Sequence, residues 1–316
     1  MQTVAVARNA MATRFEIVLH GDDPVRLRAA AEEALDEIER LEAKLSLYQT
    51  TSAVAQINAR AALESVRVTP ELFQLLHRAQ QINRETGGAF DITIAPLLRA
   101  WKLMGDHGAV PDEQTVAEAR AKVGMHLVEL NENDRSVHFA RAGVMIDLGS
   151  IGKGYALDRA VDLLRETGIT SALLHGGTST VCALGAQPDG QSWRIAIEHP
   201  EKHRANSTAT NQTHLATVAL RDESLSVSAV WGKCFAADGK IYGHVIDPRR
   251  GAPTQAASLA AVVLPSATES DAFSTALLIT GPTGHDTIQQ LRPSMRTLVY
   301  AEEETGGRIV AHGIGA

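Results

Sequence analysis

A glycine-rich turn between a short apolar run and a helical pattern carries the strongest chemical signal in the sequence. The run Val144–Ile146 leads into Asp147-Leu-Gly-Ser-Ile-Gly-Lys-Gly, and helical spacing follows from about Tyr155. Backbone N–H groups of such a turn, at the positive end of a helix, favour an anion, and Lys153 would add a charge for phosphate. The P-loop pattern is not matched, because it requires Gly at Asp147 and Ser or Thr at Gly154. A tight strand-to-helix turn without a ligand explains the same residues equally well.

Ser150 in the same turn indicates a second kind of chemistry. The segment Ser150-Ile-Gly-Lys153 matches the SxxK pattern of serine acyl-enzymes. The SDN and KTG segments that accompany this pattern occur nowhere in the chain. SxxK alone is a common coincidence and does not by itself predict a hydrolase.

Asp271 and Thr275 are four residues apart in a segment with helical spacing, so they are expected on one helix face. A carboxylate and a hydroxyl together suit a hard cation such as Mg²⁺, which prefers oxygen ligands and the phosphates of a substrate. An acidic residue near a helix start also caps free backbone N–H groups. Taken alone, this segment favours capping over a metal site.

Two further segments are candidate sites: one places a histidine and an aspartate before a proline turn, and the other places an aromatic residue and an aspartate after paired glycines. His244 and Asp247 lie at the end of a predicted strand, where sites often occur, and His can act as a base near neutral pH. A core histidine beside a turn-forming Asp-Pro is the more common explanation of a lone histidine. The paired glycines before Ala89, Phe90 and Asp91 would let a flat ring approach the backbone, or would simply end a helix.

The elements that must position these residues follow from hydrophobic periodicity. Helices are predicted at about 24–45, 70–85, 155–167, 269–279 and 284–291, and residues 201–213 are predicted to form a loop. Strands are predicted at 14–20, 126–131, 136–140, 144–146, 171–174, 193–198, 214–220, 224–229, 240–246, 258–264, 296–301 and 307–311. Because helices and strands do not alternate strictly, an α+β fold is expected rather than a doubly wound sheet.

Length and composition exclude several classes of protein. The 316 residues correspond to roughly two domains, or to one with two lobes, at about 150 residues per domain. The net charge of −7 argues against a general nucleic-acid binder. Cys182 and Cys234 match neither a zinc pattern nor a disulfide framework. The sequence has no apolar run long enough for a membrane span, no signal-peptide core and no lipidation cysteine near the N-terminus. A cytoplasmic protein is therefore expected, or a periplasmic or membrane-anchored one if an N-terminal segment was trimmed.

In their order along the chain these motifs resemble one family, the FAD:protein FMN transferases, also called the ApbE family. Each motif is loose alone, but seven in the right order form a specific match that extends over nearly the whole chain. They are Met11-Ala12-Thr13, Leu45 to Tyr48 with Ser52 and Asn58, Gly88 to Asp91 with Pro96-Leu97 and Trp101, Asp147 to Arg159, Gly176-Gly177, His244 to Arg249, and Asp271 to Leu277. The chain departs from the family pattern at Ala12 for Gly, at Val227-Ser228-Ala229 for Thr-Ser-Gly, and at Arg250 for Thr.

The resemblance implies a two-lobed α+β architecture of mixed sheet and helix, with residues 1–316 as a single domain and lobes of about 1–180 and 181–316. It also implies Mg²⁺-dependent transfer of the FMN half of FAD to a Ser or Thr hydroxyl of a target flavoprotein, with release of AMP. A Mg²⁺-dependent FAD pyrophosphatase and a non-catalytic FAD-binding protein are the alternatives.

Position by position, the resemblance also implies roles for individual residues. The Mg²⁺ ligands would be Asp271 and Thr275, helped by a backbone carbonyl near Ser150 and by Ser274. His244 would be the base that activates the acceptor hydroxyl, with Asp247 or a metal-bound group as the alternative. The FAD site would be lined by Met11, Tyr48, Ala89, Phe90, Asp91, Asp147, Lys153 and Ile246.

Overall fold

A computed structural model describes residues 1–105, 107–200, 214–232, 234–237, 239–303 and 306–315. Its strands are β1 (Gln2–Ala10), β2 (Thr13–Gly21), β3 (Val66–Arg67), β4 (Val128–Asn131), β5 (Ser136–Phe139), β6 (Ala172–Gly176), β7 (Thr180–Leu184), β8 (Trp193–Glu198), β9 (His214–Leu220), β10 (Glu223–Ala229), β11 (Cys234–Ala237), β12 (Lys240–Gly243), β13 (Ile246–Asp247), β14 (Ala252–Pro253), β15 (Leu259–Leu264), β16 (Arg296–Glu303) and β17 (Gly306–His312). Its α-helices are α1 (Pro24–Leu45), α2 (Ala53–Arg60), α3 (Pro70–Glu85), α4 (Ala95–Ala100), α5 (Glu113–Arg120), α6 (Gly152–Glu166) and α7 (Ala267–Gln289).

One antiparallel sheet of eight strands organises the chain, in the order β1-β2-β6-β7-β10-β15-β16-β17. Helices α1, α6 and α7 pack on one face of this sheet. The opposite face carries a second apolar cluster that includes Leu173, Leu225 and Val263 and packs against the β8–β9 hairpin. Residues along each strand therefore alternate between the helical layer and the hairpin side. The predicted α+β class is confirmed.

Smaller sheets complete the described structure. Strands β3, β5 and β4 form a three-stranded sheet, and the pairs β11–β12 and β13–β14 form two short hairpins. Short 3₁₀ turns occur at Ile92–Ile94 and Met125–Leu127. Helix α7 contains Gly281, which is not helical, followed by Pro282, so its two halves correspond to the two helices expected there. Among the described residues, none of the helices is long and apolar enough to cross a membrane.

The largest difference from the predicted elements is at Val144–Ile146, where the expected strand does not form. The segment is buried, but the backbone of Ile146 pairs with a side chain rather than with a strand. The amide of Asn58 donates to the carbonyl of Ile146 at 2.9 Å, and the N–H of Ile146 donates back to Oδ1 of Asn58 at 2.8 Å. The predicted strand 240–246 is likewise divided, because His244 and Val245 separate β12 from β13. Residues 201–213, predicted as a loop, lie outside the described residues.

Candidate active site

The start of α6 and the first half of α7 are joined at Asp271. The Asp271 side chain is buried, and its Oδ2 accepts a 3.0 Å hydrogen bond from the backbone N–H of Gly154. Position 154 has no room for a side chain, because a Cβ there would overlap the carbonyl oxygen of Ala267 and lie 2.9 Å from Cβ of Asp271. The glycine-rich turn and the acidic residue predicted for the metal are thus in direct contact.

Asp158, on the second turn of α6, fixes the start of α7. Its carboxylate accepts hydrogen bonds from the N–H groups of Ala267 and Thr268, at 2.8 and 2.9 Å. It also accepts from the hydroxyls of Ser266 and Thr268, at 2.8 and 2.6 Å. A carboxylate at a helix N-terminus satisfies free N–H groups and complements the helix dipole. Capping therefore occurs here, but through Asp158 and Ser266 rather than through Asp271, which lies beyond the cap.

Three side chains predicted as metal ligands project from α7 near one another. The hydroxyls of Ser274 and Thr275 both donate to the carbonyl oxygen of Asp271, at 3.0 and 3.3 Å. Ser228 of β10 contacts the same pair: its Oγ lies 2.8 Å from Oγ of Ser274 and 3.3 Å from Oγ1 of Thr275. Ser274 is fully buried, whereas Thr275 is half-buried.

The donor set at this point fits a hard cation. Within the described part of the chain, the side-chain carboxylate of Asp271 accepts one hydrogen bond, from the N–H of Gly154 to Oδ2, so Oδ1 stays available for a ligand. Among the described residues there is no group of three or more His, Cys, Asp or Glu side chains that could hold a metal. A cation here would depend on one carboxylate, a hydroxyl and the oxygens of its substrate, which is how Mg²⁺ is commonly held beside phosphates.

The glycine-rich turn is stabilised by its own side chains. Oδ1 of Asp147 accepts from the N–H of Gly149 at 2.8 Å, and Nζ of Lys153 donates to the carbonyl oxygen of Gly149 at 3.2 Å. Burial raises the pKa of Asp147, although the Gly149 N–H and the charge of Lys153 oppose this effect. Ser150 is half-buried within the turn. The turn thus presents a carboxylate, an ammonium group and a helix N-terminus on one short segment.

Residues 89–91 lie beside this turn. The N–H of Asp147 donates to the carbonyl oxygen of Ile92 at 2.7 Å. Ala89 and Phe90 are fully buried, so they can offer a ligand their backbone but not their side chains. Asp91 accepts from the N–H and the hydroxyl of Thr93, at 2.7 and 2.5 Å. Burial raises the pKa of Asp91, and these hydrogen bonds oppose the rise.

Met11 and Tyr48 lie in two connecting segments. Met11 and Ala12 form the two-residue turn between β1 and β2, with φ values of 50° and 57°. Residues other than glycine rarely adopt this left-handed backbone conformation, which costs roughly 1 kcal/mol per residue. Tyr48 follows α1 and is 65% exposed. Partial burial, and then the carboxylate of Asp147, raise the pKa of Tyr48.

The segment after β12 contains the predicted base. His244 is half-buried between β12 and β13, and Ile246 is buried against Leu97 and Trp101. The guanidinium of Arg249 donates to both carboxylate oxygens of Asp247, each at 2.9 Å. Asp247 is therefore committed to its turn, which weakens it as the alternative base.

An open cleft of about 540 Å³ lies beside residues 88–91. Its wall includes three side chains that carry or can carry positive charge, Arg120, His126 and Arg249. Neither Arg120 nor His126 was assigned to a site from the sequence. Both lie far along the chain from the glycine pair at 87–88, and only the fold brings them to the same cleft as Gly88. The contact of Ser228 with α7 was also not predicted, although serines at positions 224, 226 and 228 share one face of a predicted strand.

A protein-family model described as the ApbE family matches residues 11–299. The chain belongs to the ApbE family. It is similar to curated ApbE relatives named FAD:protein FMN transferase. The protein from Klebsiella pneumoniae (strain 342) is 31% identical over 282 residues, which cover 86% of this chain and 77% of the relative. The protein from Treponema pallidum (strain Nichols) is 31% identical over 269 residues, which cover 81% of this chain and 72% of the relative.

Two solved ApbE structures share the fold. The crystal structure of the ApbE protein from Thermotoga maritima matches with a TM-score of 0.86 at 26% identity, covering 99% of this chain and 97% of that one. The apo form of the flavinyl transferase ApbE from Pseudomonas stutzeri matches with a TM-score of 0.84 at 27% identity, covering 99% of this chain and 95% of that one. The family inferred from the motifs is confirmed.

In this ApbE chain the structure brings several predicted residues into contact through their neighbours. Asp271, Ser274 and Thr275 form one group on α7, which Gly154 joins to the turn of Lys153 and Ser150. Asp147 is joined through Ile92 to the segment of Ala89, Phe90 and Asp91. The places of Met11, His244 and Ile246 in a common site stay predictions.

Proposed function

We propose that this ApbE-family enzyme transfers the FMN moiety of FAD to a Ser or Thr hydroxyl of a target flavoprotein, in a Mg²⁺-dependent reaction that releases AMP. The observation that carries the proposal is the hydrogen bond between Gly154 and Asp271. This bond joins the N-terminus of α6, which favours an anion, to the Asp271 carboxylate. Together with the Thr275 hydroxyl, that carboxylate is suited to Mg²⁺. A site for a pyrophosphate needs both features side by side.

The FAD site is proposed to comprise Met11, Tyr48, Ala89, Phe90, Asp91, Asp147, Lys153 and Ile246. The buried side chains of Ala89, Phe90 and Ile246 support roles for their backbone in this site. Lys153 is half-buried at the start of α6, where its ammonium group would neutralise phosphate charge together with the helix dipole. The exposed ring of Tyr48 supports a stacking role toward the flavin.

Asp271 and Thr275 would hold Mg²⁺, with a backbone carbonyl near Ser150 as a further ligand. Ser274 is fully buried and lies 2.8 Å from Ser228, which supports a role in holding its neighbour Thr275 more than direct ligation. When bound, Mg²⁺ neutralises charge that develops on the phosphates and stabilises the leaving group.

In the transfer step, the acceptor hydroxyl oxygen forms a bond to the phosphorus of the FMN half. The bond from that phosphorus to the bridging oxygen breaks, and AMP leaves with the electron pair. His244 is proposed to accept the hydroxyl proton, because histidine is the side chain that most often serves as a base near neutral pH. Asp247 suits it less, since Arg249 occupies both of its oxygens.

The test is incubation of the protein with FAD, with and without Mg²⁺, while AMP, free FMN and peptide-bound FMN are followed by chromatography. Half of the samples contain a peptide with a Ser/Thr flavinylation motif. Mg²⁺-dependent AMP together with FMN on the peptide would support the transferase. AMP with free FMN, regardless of peptide, would indicate a pyrophosphatase instead. FAD that stays bound without any AMP would indicate a flavin-binding protein and would contradict the proposal.

A further inference from the structure

Strand β10 directs a row of serines at α7. Ser224, Ser226 and Ser228 alternate with Leu225 and Val227, which pack into the apolar cluster on the hairpin side of the sheet. Successive side chains of a strand point to opposite faces, so the three hydroxyls face the helical layer. A buried hydroxyl needs a hydrogen-bond partner, and α7 provides one for each serine.

The three serines make different contacts. Ser224 and Ser226 both contact Ser270, at 2.8 and 3.3 Å between the hydroxyl oxygens, and Ser226 also donates to Thr180 at 3.2 Å. Ser228 instead contacts the pair Ser274 and Thr275. Of the three serines, Ser228 is therefore the one that touches the hydroxyl proposed as a metal ligand.

The hydroxyls around Ser228 can form a continuous chain of hydrogen bonds. A carbonyl oxygen can only accept, and the hydroxyl of Ser274 donates to the carbonyl of Asp271 at 3.0 Å. Ser274 Oγ can then accept from Ser228, and Ser228 Oγ can accept from Thr275. The single proton of Thr275 has two acceptors within reach, Oγ of Ser228 and the carbonyl oxygen of Asp271, each at 3.3 Å. When Ser228 accepts it, the Thr275 proton points toward β10. A hydroxyl that binds a cation must turn a lone pair toward the cation and its proton away, so the arrangement prepares Thr275 as a ligand.

We propose that Ser228 is a positioning residue that orients the Thr275 hydroxyl for the cation. The proposal rests on the proposed function, because it assumes that Asp271 and Thr275 hold Mg²⁺. Ser228 itself does not contact the cation. Removal of its hydroxyl should weaken metal binding through Thr275 and through no other ligand.

The test measures Mn²⁺ binding to the full chain by electron paramagnetic resonance, in which the signal of free Mn²⁺ reports the unbound fraction. The sample contains a FAD analogue with a methylene group in place of the bridging pyrophosphate oxygen, so that no turnover occurs. We expect Ser228→Ala to raise the Kd for Mn²⁺ by about 3- to 10-fold, the effect of losing one hydrogen bond. Ser226→Ala is the matched control, because this serine is on the same face of β10 but contacts Ser270 and Thr180. Its Kd should stay within about twofold of that of the unchanged protein.

A double-mutant comparison separates positioning from general packing. In a Thr275→Ala background, Ser228→Ala should cause no further loss of Mn²⁺ affinity, because the hydroxyl that it orients is gone. A further loss there, or an equal loss in Ser226→Ala, would overturn the proposal. Ser228→Cys keeps the volume with a weak donor, and it serves if Ser228→Ala does not fold.

The same data distinguish failure of this proposal from failure of the proposed function. If Thr275→Ala weakens Mn²⁺ binding while Ser228→Ala and Ser228→Cys do not, the metal site stands and the positioning role is wrong. If Thr275→Ala and Asp271→Asn both leave Mn²⁺ binding unchanged, the metal site is wrong, and Ser228 then has no ligand to orient.

Discussion

The backbone N–H of Gly154 donates to Oδ2 of Asp271 at 3.0 Å, and this contact joins α6 and α7 where the phosphates and the cation are proposed to meet. The contact depends on the absence of a side chain at position 154, since a Cβ would overlap the carbonyl oxygen of Ala267. Because the obstacle is backbone, it cannot move aside as a flexible side chain would. The separation of the two helices is therefore set by this glycine.

Gly154→Ala should push the two helices apart. Overpacking of this kind costs about 1–3 kcal/mol of the free energy of unfolding, measured by urea denaturation, and Mg²⁺-dependent AMP release should fall with it. Gly152→Ala is the matched control in the same helix, because a Cβ there would meet its nearest neighbour, Cβ of Leu148, at an ordinary 3.9 Å. Equal effects of the two substitutions would contradict this account of the helix contact.

Asp271 has two separable roles, and two substitutions distinguish them. Asp271→Asn keeps an oxygen that can accept from Gly154 but removes the negative charge, so the protein should fold normally while Mg²⁺-dependent AMP release falls by about 100-fold or more. Asp271→Ala removes both, so its Tm should also fall. Chromatographic AMP assays and thermal unfolding measure the two effects. Normal AMP release by the folded Asp271→Asn protein would show that the metal assignment is wrong.

Asp158 should matter for stability rather than for chemistry, because its carboxylate receives four hydrogen bonds at the start of α7. Asp158→Ala should lower the free energy of unfolding by about 2 kcal/mol, the upper range for loss of a helix cap. Asp162→Ala, one turn later on α6, is the control, since its carboxylate is about half exposed and pairs with Arg159 at the surface. The two proteins would be compared by urea denaturation. If Asp158→Ala lowered the free energy of unfolding less than Asp162→Ala does, the capping role of Asp158 would be contradicted.

Elements whose signals are local were predictable from the sequence. Helix α3 was expected from about Pro70 to Glu85, and it spans those residues because Thr69 caps it and Pro70 starts it. The strand expected at 144–146 failed for a non-local reason. The backbone of Ile146 pairs with the side chain of Asn58, a residue 88 positions away, and no local pattern reveals such a partner.

The same limit applies to the candidate site. The shared helix face of Asp271 and Thr275 was predicted from their spacing, which is a local property. Their contacts with Gly154 and Ser228 depend on how α6, α7 and β10 pack, and hydrophobic periodicity does not specify which residues of two packed elements meet. The motifs therefore indicated candidate groups for chemistry but not the residues that contact them.

Asp147 should give the folded protein a characteristic dependence on pH. Burial raises its pKa in the folded state, so the folded protein binds a proton more tightly there than the unfolded chain does. The free energy of unfolding should fall as pH rises from the ordinary range of an aspartate through the raised pKa. Asp147→Asn keeps an acceptor for the N–H of Gly149 but cannot ionise. Its stability relative to the unchanged protein should therefore increase with pH and then level off.

The measurement is urea denaturation from about pH 2 to pH 8 without FAD or metal, a range that extends below the ordinary pKa of an aspartate. Asp112→Asn gives the opposite sign as a control, because hydrogen bonds from Thr115 lower the pKa of Asp112. Its contribution is present above the ordinary pKa and is lost as pH falls through the lowered one. A stability difference for Asp147→Asn that does not change with pH would show that this carboxylate is not stabilised in its protonated form.

His244 gives the sharpest test of the transfer step, because its proposed role as a base separates chemistry from binding. His244→Ala should lower kcat for peptide flavinylation by about 100-fold or more, since general bases typically contribute at least that much. The Kd for FAD, measured by flavin fluorescence, should change far less. His244→Gln is the companion variant, because it can still donate and accept hydrogen bonds but cannot take up a proton near neutral pH. Both variants should therefore lose turnover to a similar extent. Recovery of turnover in His244→Gln, or a large loss of FAD affinity with normal residual turnover in His244→Ala, would instead identify His244 as a binding residue.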